Sequence, residues 1–178
     1  MQVNKYSPNN SNIISYGSYT YNKYALPENV QLVLDIIDTE TEDKLISLIN
    51  DGNSQELKTI CKCITDNVFK PLGLKFNDYQ FSKLEKGKGM RYEQDNKGKY
   101  GSTIAILSMG SDILYNLKNI VKNTVYNIVL PRRSLLIITD PQFELLRSIA
   151  QRGEDIVDYS TKITRQDRYS IVFRNSKY

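Results

Sequence analysis

No histidine occurs anywhere in the 178-residue chain. Any metal chemistry must therefore use other ligands. Cys61 and Cys63 are the only thiols. Two residues apart on a helix they point away from each other, and no second pair exists to complete a four-thiolate zinc site. Two cysteines also fall short of a secreted disulfide scaffold, which points to a reducing compartment. The other chemistry-bearing group is cationic: Lys83, Lys86, Lys88, Arg91, Lys97 and Lys99 in one segment, with Arg132, Arg133, Arg147 and Arg152 on later elements. Such a face suits phosphate backbones, although Glu85, Glu93 and Asp95 interrupt it and a solvated surface is the ordinary alternative. The net charge of +4 is uneven, with 4 Lys/Arg against 8 Asp/Glu in residues 1–60 and 20 against 12 in residues 61–178.

The elements that must position these groups follow from the patterning. With 40% hydrophobic and 25% charged residues, the chain fits one globular domain with a real core. Nothing approaches the roughly 18–20 unbroken apolar residues of a membrane span, and the start has no apolar signal core, so an intracellular protein, cytoplasmic or nuclear, is expected. Residues 1–25, rich in Asn, Ser and Tyr, read as a flexible arm, and residues 26–178 as a single domain. Val30, Leu32, Leu34 and Ile36 alternate as in a half-buried strand. Thr39 and Glu42 form a capping-box pattern opening a helix that ends at Asp51-Gly52. A second helix is predicted over Ser54 to Val68. Strands are predicted at Phe76 to Leu84, Tyr100 to Ser108, Ile113 to Leu117, Thr124 to Leu130, Ser134 to Thr139 and Tyr169 to Arg174, with a short helix over Pro141 to Gln151. Two helices followed by about six strands suit an α+β, mainly β domain that closes into a sandwich or barrel, the helices packed on one side.

Several short motifs occur in a telling order: Gly87-Lys88-Gly89-Met90, Ser108-Met109-Gly110-Ser111, Leu130-Pro131-Arg132-Arg133-Ser134-Leu135-Leu136, and Arg168 with Arg174 six residues later. Together they resemble the AlkB-like branch of the Fe(II)/2-oxoglutarate oxygenases, over about four fifths of the chain. That resemblance implies a double-stranded β-helix, or jelly roll, backed by helices. It also implies Fe(II) and 2-oxoglutarate as the family's cofactors, and here the matching positions depart from the pattern. Glu93-Gln94-Asp95 stands where the family has its metal-binding His-x-Asp, and the distal His falls near Ser148. Ser82 and Leu84 stand where an Asn and a Tyr help to hold the oxo acid. Arg168 matches the arginine that pairs with its distal carboxylate, and Arg174 the one beside the metal-binding Asp.

A site of Glu93, Asp95 and Ser148 would be all oxygen, suited to Mg²⁺, Ca²⁺ or Mn²⁺ rather than Fe(II). The expectation is therefore a pseudoenzyme with no cofactor, in which Arg174 pairs with Asp95 or Glu93. It would serve as a structural or accessory subunit that engages a protein or ribonucleoprotein partner. Nucleic-acid binding through the basic face is the second reading, and an active demethylase of nucleic acid or protein the third. The abundance of Asn, Ile, Lys and Tyr fits an AT-rich genome such as that of a large DNA virus, which would make the protein virion-associated, or of a protist.

Overall fold

The computed structural model describes residues 13–16, 19–22, 26–139 and 144–178. Thirteen strands and two α-helices are formed among them. Strands β1 (Ile13–Tyr16) and β2 (Tyr19–Asn22) pair antiparallel, and the rest of the expected N-terminal arm lies outside the described residues. Strand β3 (Val30–Val33) leads to α1 (Thr39–Asn50) and α2 (Ser54–Ile64). A π-helical turn (Thr65–Phe69) and a 3₁₀ turn (Lys70–Leu72) extend α2. The run stops at Gly73, whose φ of 72° a side chain would resist. Then come β4 (Asp78–Leu84), β5 (Met90–Glu93), β6 (Tyr100–Met109), β7 (Ile113–Asn119), β8 (Thr124–Leu130) and β9 (Ser134–Ile138). Strands β10 (Leu145–Ile149), β11 (Glu154–Ile156), β12 (Lys162–Thr164) and β13 (Arg168–Ser176) complete the chain.

The major sheet has the order β3-β9-β6-β13-β4 and the minor sheet β5-β10-β7-β8, and both are antiparallel. Alternation along the major strands explains the layering. Ala105, Leu107, Leu135, Ile137, Ile171 and Phe173 face the helices and pack with Leu45, Leu57, Ile64 and Phe69. Ile104, Ile106, Leu136 and Ile138 face the minor sheet and pack with Leu117, Leu130, Leu145 and Ile149. Because both faces of the major sheet are covered, its central strands read as unbroken apolar runs rather than clean alternation. The result is a jelly-roll sandwich with both helices on one side. No helix among the described residues is long and apolar enough to cross a membrane.

Three local expectations need correction. The segment predicted as a short helix over Pro141 to Gln151 is strand β10 where it is described, from Leu145 to Ile149, while residues 140–143 lie outside the described residues. Five apolar residues carry too little period to separate the two forms, and pairing with β5 and β7 decides the matter. The α1 cap is Asp38, whose carboxylate accepts the Thr41 amide at 2.7 Å. Glu42 therefore does not cap; it turns inward. The strand opening at Val30 stops at Val33, since Asp35 has a φ of 47° and sends Ile36 beneath the helices.

Candidate functional site

Strand β13 is antiparallel to β4, with Arg168 opposite Leu84, Ser170 opposite Ser82 and Arg174 opposite Asp78. Period two places Arg168, Ser170, Val172 and Arg174 together on the face turned toward the minor sheet. There they line a cavity of about 230 Å³ closed on the other side by Tyr115 of β7 and Arg147 of β10. Leu84, Met90, Ile106, Ile149 and Val172 contribute apolar wall among these polar side chains. Gly89 lets β5 approach β10 closely enough to form the rim. A Cβ there would lie 2.7 Å from both the Ile149 carbonyl oxygen and the Gln151 amide nitrogen.

Asp95 follows β5 and is buried. Its Oδ1 accepts from Nη2 of Arg147 at 3.0 Å and lies 3.0 Å from Nη2 of Arg174. Arg174 also donates to Oε1 of Gln80 and stacks over the Tyr100 ring at 4.9 Å. One carboxylate is thus clasped by two guanidinium groups. Burial opposes the charge on Arg147, but Tyr115, Asp95 and Glu93 around it more than offset this and hold its pKa above the ordinary value. Burial pushes the Tyr115 phenol up despite Arg147 and Arg168 nearby.

Arg168 is different. It is 5% exposed, and its Nε donates to Oγ of Ser108 at 3.1 Å. No carboxylate among the described residues forms an ion pair with it, and its Nη2 has no hydrogen-bond partner among them. It lies over the ring of Tyr115, 5.8 Å from guanidinium to ring centre. Burial draws its pKa down; Tyr115 opposes that shift and Arg165 adds to it.

The remaining candidates separate clearly. Glu93 is exposed at the cavity rim, opposite Arg147 in the strand register. Ser148 is buried but alternates away from Arg147, and its hydroxyl accepts from Asn116 at 3.4 Å. The expected grouping of Ser148 with Glu93 and Asp95 is therefore not formed, because Arg147, one residue earlier, occupies that direction. Among the described residues no group of three or more His, Cys, Asp or Glu side chains is placed to hold a metal ion. An Fe(II) and 2-oxoglutarate pair does not fit this donor set: Asp95 already serves two cations, and no imidazole exists to replace either. Ser82 and Ser170 hydroxyls meet at 2.7 Å, and Leu84 forms apolar wall.

The basic face also contracts. Arg132 donates from Nε and Nη2 to Glu42, which is 0% exposed, and Arg133 lies 3.5 Å from the same carboxylate and pairs with Asp35. These two arginines, expected in the basic patch, instead anchor α1 to the start of β9. Arg147 is in the clasp and Arg152 pairs with Asp155 at 2.7 Å. Lys83 pairs with Asp167 at 3.1 Å and lies over the Tyr169 ring, and Lys99 lies over Tyr100. The Lys86 amide donates to Asp167, the Lys88 amide closes a turn on Glu85, and Lys97 accepts from Lys177 through its carbonyl. Arg91 is exposed on β5. Sequence reasoning missed Tyr115 and the clasping role of Arg147. For Arg147 the signal was present as a lone charge inside the apolar run Leu145-Leu146-Arg147-Ser148-Ile149, since a charge that must be buried needs a buried partner.

No family model matches the sequence, and no curated protein matches it. Among solved structures, the chain is similar to a Pseudomonas putida prolyl-4-hydroxylase at 10% identity and a TM-score of 0.55, covering 83% of this chain and 88% of that one. At that identity the likeness establishes the jelly-roll fold.

Proposed function

We propose that the domain keeps an oxygenase-type jelly roll without its metal chemistry and works as a binding subunit. The observation that carries this reading is the pairing of Asp95, through Oδ1, with both Arg147 and Arg174. In the AlkB-like pattern this carboxylate is a metal ligand, and a dication needs it free and needs neutral donors beside it. Here a guanidinium supplies the compensating charge. Displacing Arg147 with a metal would leave a cation buried and unpaired, at a cost of several kcal/mol per ion, roughly.

An accessory role in a protein or ribonucleoprotein assembly follows as the use of such a fold. The exposed apolar groups Ile120, Val121 and Val125 at the β7–β8 hairpin offer it a contact surface. Purified protein supplied with Fe(II), 2-oxoglutarate, ascorbate and oxygen is expected to form no succinate above the protein-free rate. Succinate formation that depends on Asp95 would overturn the reading. Val121→Asp is expected to release a partner that copurifies with the unaltered chain.

A further inference from the structure

We infer that the open edge of β8, with the β7–β8 turn, is a docking site for an extended acidic segment of a protein partner, which adds to the minor sheet as a further strand. This rests on the reading of the domain as a binding subunit and says what it binds. The first support is the backbone. Strand β8 ends the minor sheet, and no strand among the described residues pairs with its outer edge. The half next to the turn, Thr124 to Asn127, is exposed or half-buried, whereas Ile128, Val129 and Leu130 are buried. Such an edge presents unpaired N–H and C=O groups, and proteins normally blunt it with a proline, a bulge or a charge. From Thr124 to Leu130 there is no proline and no charged residue, and the register with β7 runs without a bulge.

The second support is the side chains around that edge. Turns are built chiefly from Gly, Pro, Asn, Asp and Ser, yet Ile120 and Val121 at this tip are 47% and 69% exposed, and Val125 is 49% exposed. The tip is held in place, since Oδ1 of Asn119 accepts from the Val121 and Lys122 amides at 3.0 and 2.7 Å. Lys118 stands opposite Val125 in the register, on the same face of the sheet. From Ile113 to Thr139 the chain has no Asp or Glu. Neither Lys118 nor Lys122 forms an ion pair among the described residues.

These features distinguish the possible occupants. A bilayer would take the aliphatic tip and the lysines but offers nothing to the backbone groups of β8. A second copy of the chain would supply backbone groups, but its own β8 edge brings two more lysines and no acid. An extended segment with Asp or Glu beside apolar residues answers all three demands: ladder bonds, contact with Val121 and Val125, and charge for the lysines. Lys118 is two strand spacings, about 10 Å, from the added strand, which a lysine and a glutamate span together.

Anisotropy titration of a labelled peptide of alternating valine and threonine, with a pair of glutamates at each end, into the full chain tests this. A dissociation constant of about 100 μM or lower is expected. Lysines in place of the glutamates, or methylation of alternate peptide nitrogens, is expected to weaken binding about tenfold or more, through charge and through lost ladder bonds respectively. Lys118→Glu with Lys122→Glu is expected to reverse the preference toward the lysine-ended peptide, a result that a misfolded variant cannot give. No binding, equal binding of both peptides, or binding indifferent to methylation would overturn the inference. Binding to mixed phosphatidylcholine and phosphatidylserine vesicles without peptide binding would overturn it in favour of a bilayer. Dimerisation in sedimentation that Val125→Asp abolishes would overturn it in favour of a second copy. Each of these failures leaves the metal-free reading standing, since succinate formation tests that separately.

Discussion

The Nη2 atom of Arg147 lies 3.0 Å from Oδ1 of Asp95, and both side chains are 4% exposed. The two residues are 52 positions apart, on β10 and just beyond β5, and Arg174 of β13 reaches the same oxygen. Through Arg174, Asp95 therefore ties the minor sheet to the major one. Removing one partner of a buried ion pair leaves an uncompensated charge, whereas replacing both with apolar groups removes the desolvation cost as well. Asp95→Leu, which leaves Arg147 and Arg174 buried without a carboxylate, is expected to destabilise the fold by about 3–5 kcal/mol. The triple variant Arg147→Met, Arg174→Met and Asp95→Leu is expected to recover most of that loss. Urea denaturation of the single and the triple variant reads the difference.

Gly89 sets how closely β5 approaches β10. An added Cβ would meet backbone atoms at 2.7 Å, which cannot yield as a side chain would. Gly89→Ala is expected to cost about 1–3 kcal/mol, the usual penalty for overpacking. Gly153→Ala, with nothing within 4 Å of its Cβ, is the control and is expected to leave stability unchanged.

Asp155 gives the fold an acid limit. It is 0% exposed and accepts from Arg165 at 2.6 and 2.7 Å, from Arg152 at 2.7 Å and from the Leu114 amide at 2.9 Å. Burial alone would raise its pKa, but these donors outweigh it and the net shift is downward. A carboxylate with a depressed folded-state pKa contributes stability that is complete above the unfolded value, about 3.9, and is lost as pH falls through the folded one. The urea midpoint is therefore expected to hold from pH 7 to about pH 4 on account of this group and then to fall. In Asp155→Asn that component of the acid loss disappears, while stability at pH 7 drops.

The two thiols are expected to differ in reactivity. Cys61 is fully buried, and desolvation pushes its pKa up to about 12, so almost no thiolate forms at pH 8. Cys63 is half-buried and within 3.3 Å of the Asn67 amide. One thiol per chain is expected to react with a chromogenic disulfide in the folded protein and two in urea. Two fast-reacting thiols under native conditions would contradict this packing of α2.

Much of the scaffold was legible because alternation and apolar content survive translation into strands. The segment from Thr124 to Leu130 forms the predicted strand, and Tyr100 to Met109 differs from its prediction by one residue. What was not legible depends on partners distant in sequence. Leu145 to Ile149 became a strand only because β5 and β7 pair with it. In a strand, a slip of one residue exchanges the two faces. That slip is why the sequence pointed to Ser148 where the structure places Arg147 beside Asp95. Glu42 offered a good local capping pattern, but Arg132 lies 90 residues away and claims it. A pairing of Arg174 with Asp95 or Glu93 was expected from the resemblance, which puts Arg174 beside the metal-binding Asp, and from the need of a carboxylate without its metal for another cation; the pairing formed is with Asp95.

Compensation of Asp95 by a guanidinium, and not by a metal, is best checked by anaerobic calorimetric titration of Mn²⁺ into the unaltered protein and into Asp95→Asn, with 2-oxoglutarate present in both. No saturable heat is expected in either, and no change in melting temperature on adding the metal. Saturable Mn²⁺ binding that Asp95→Asn abolishes would show that Arg147 yields its place and would overturn the metal-free reading.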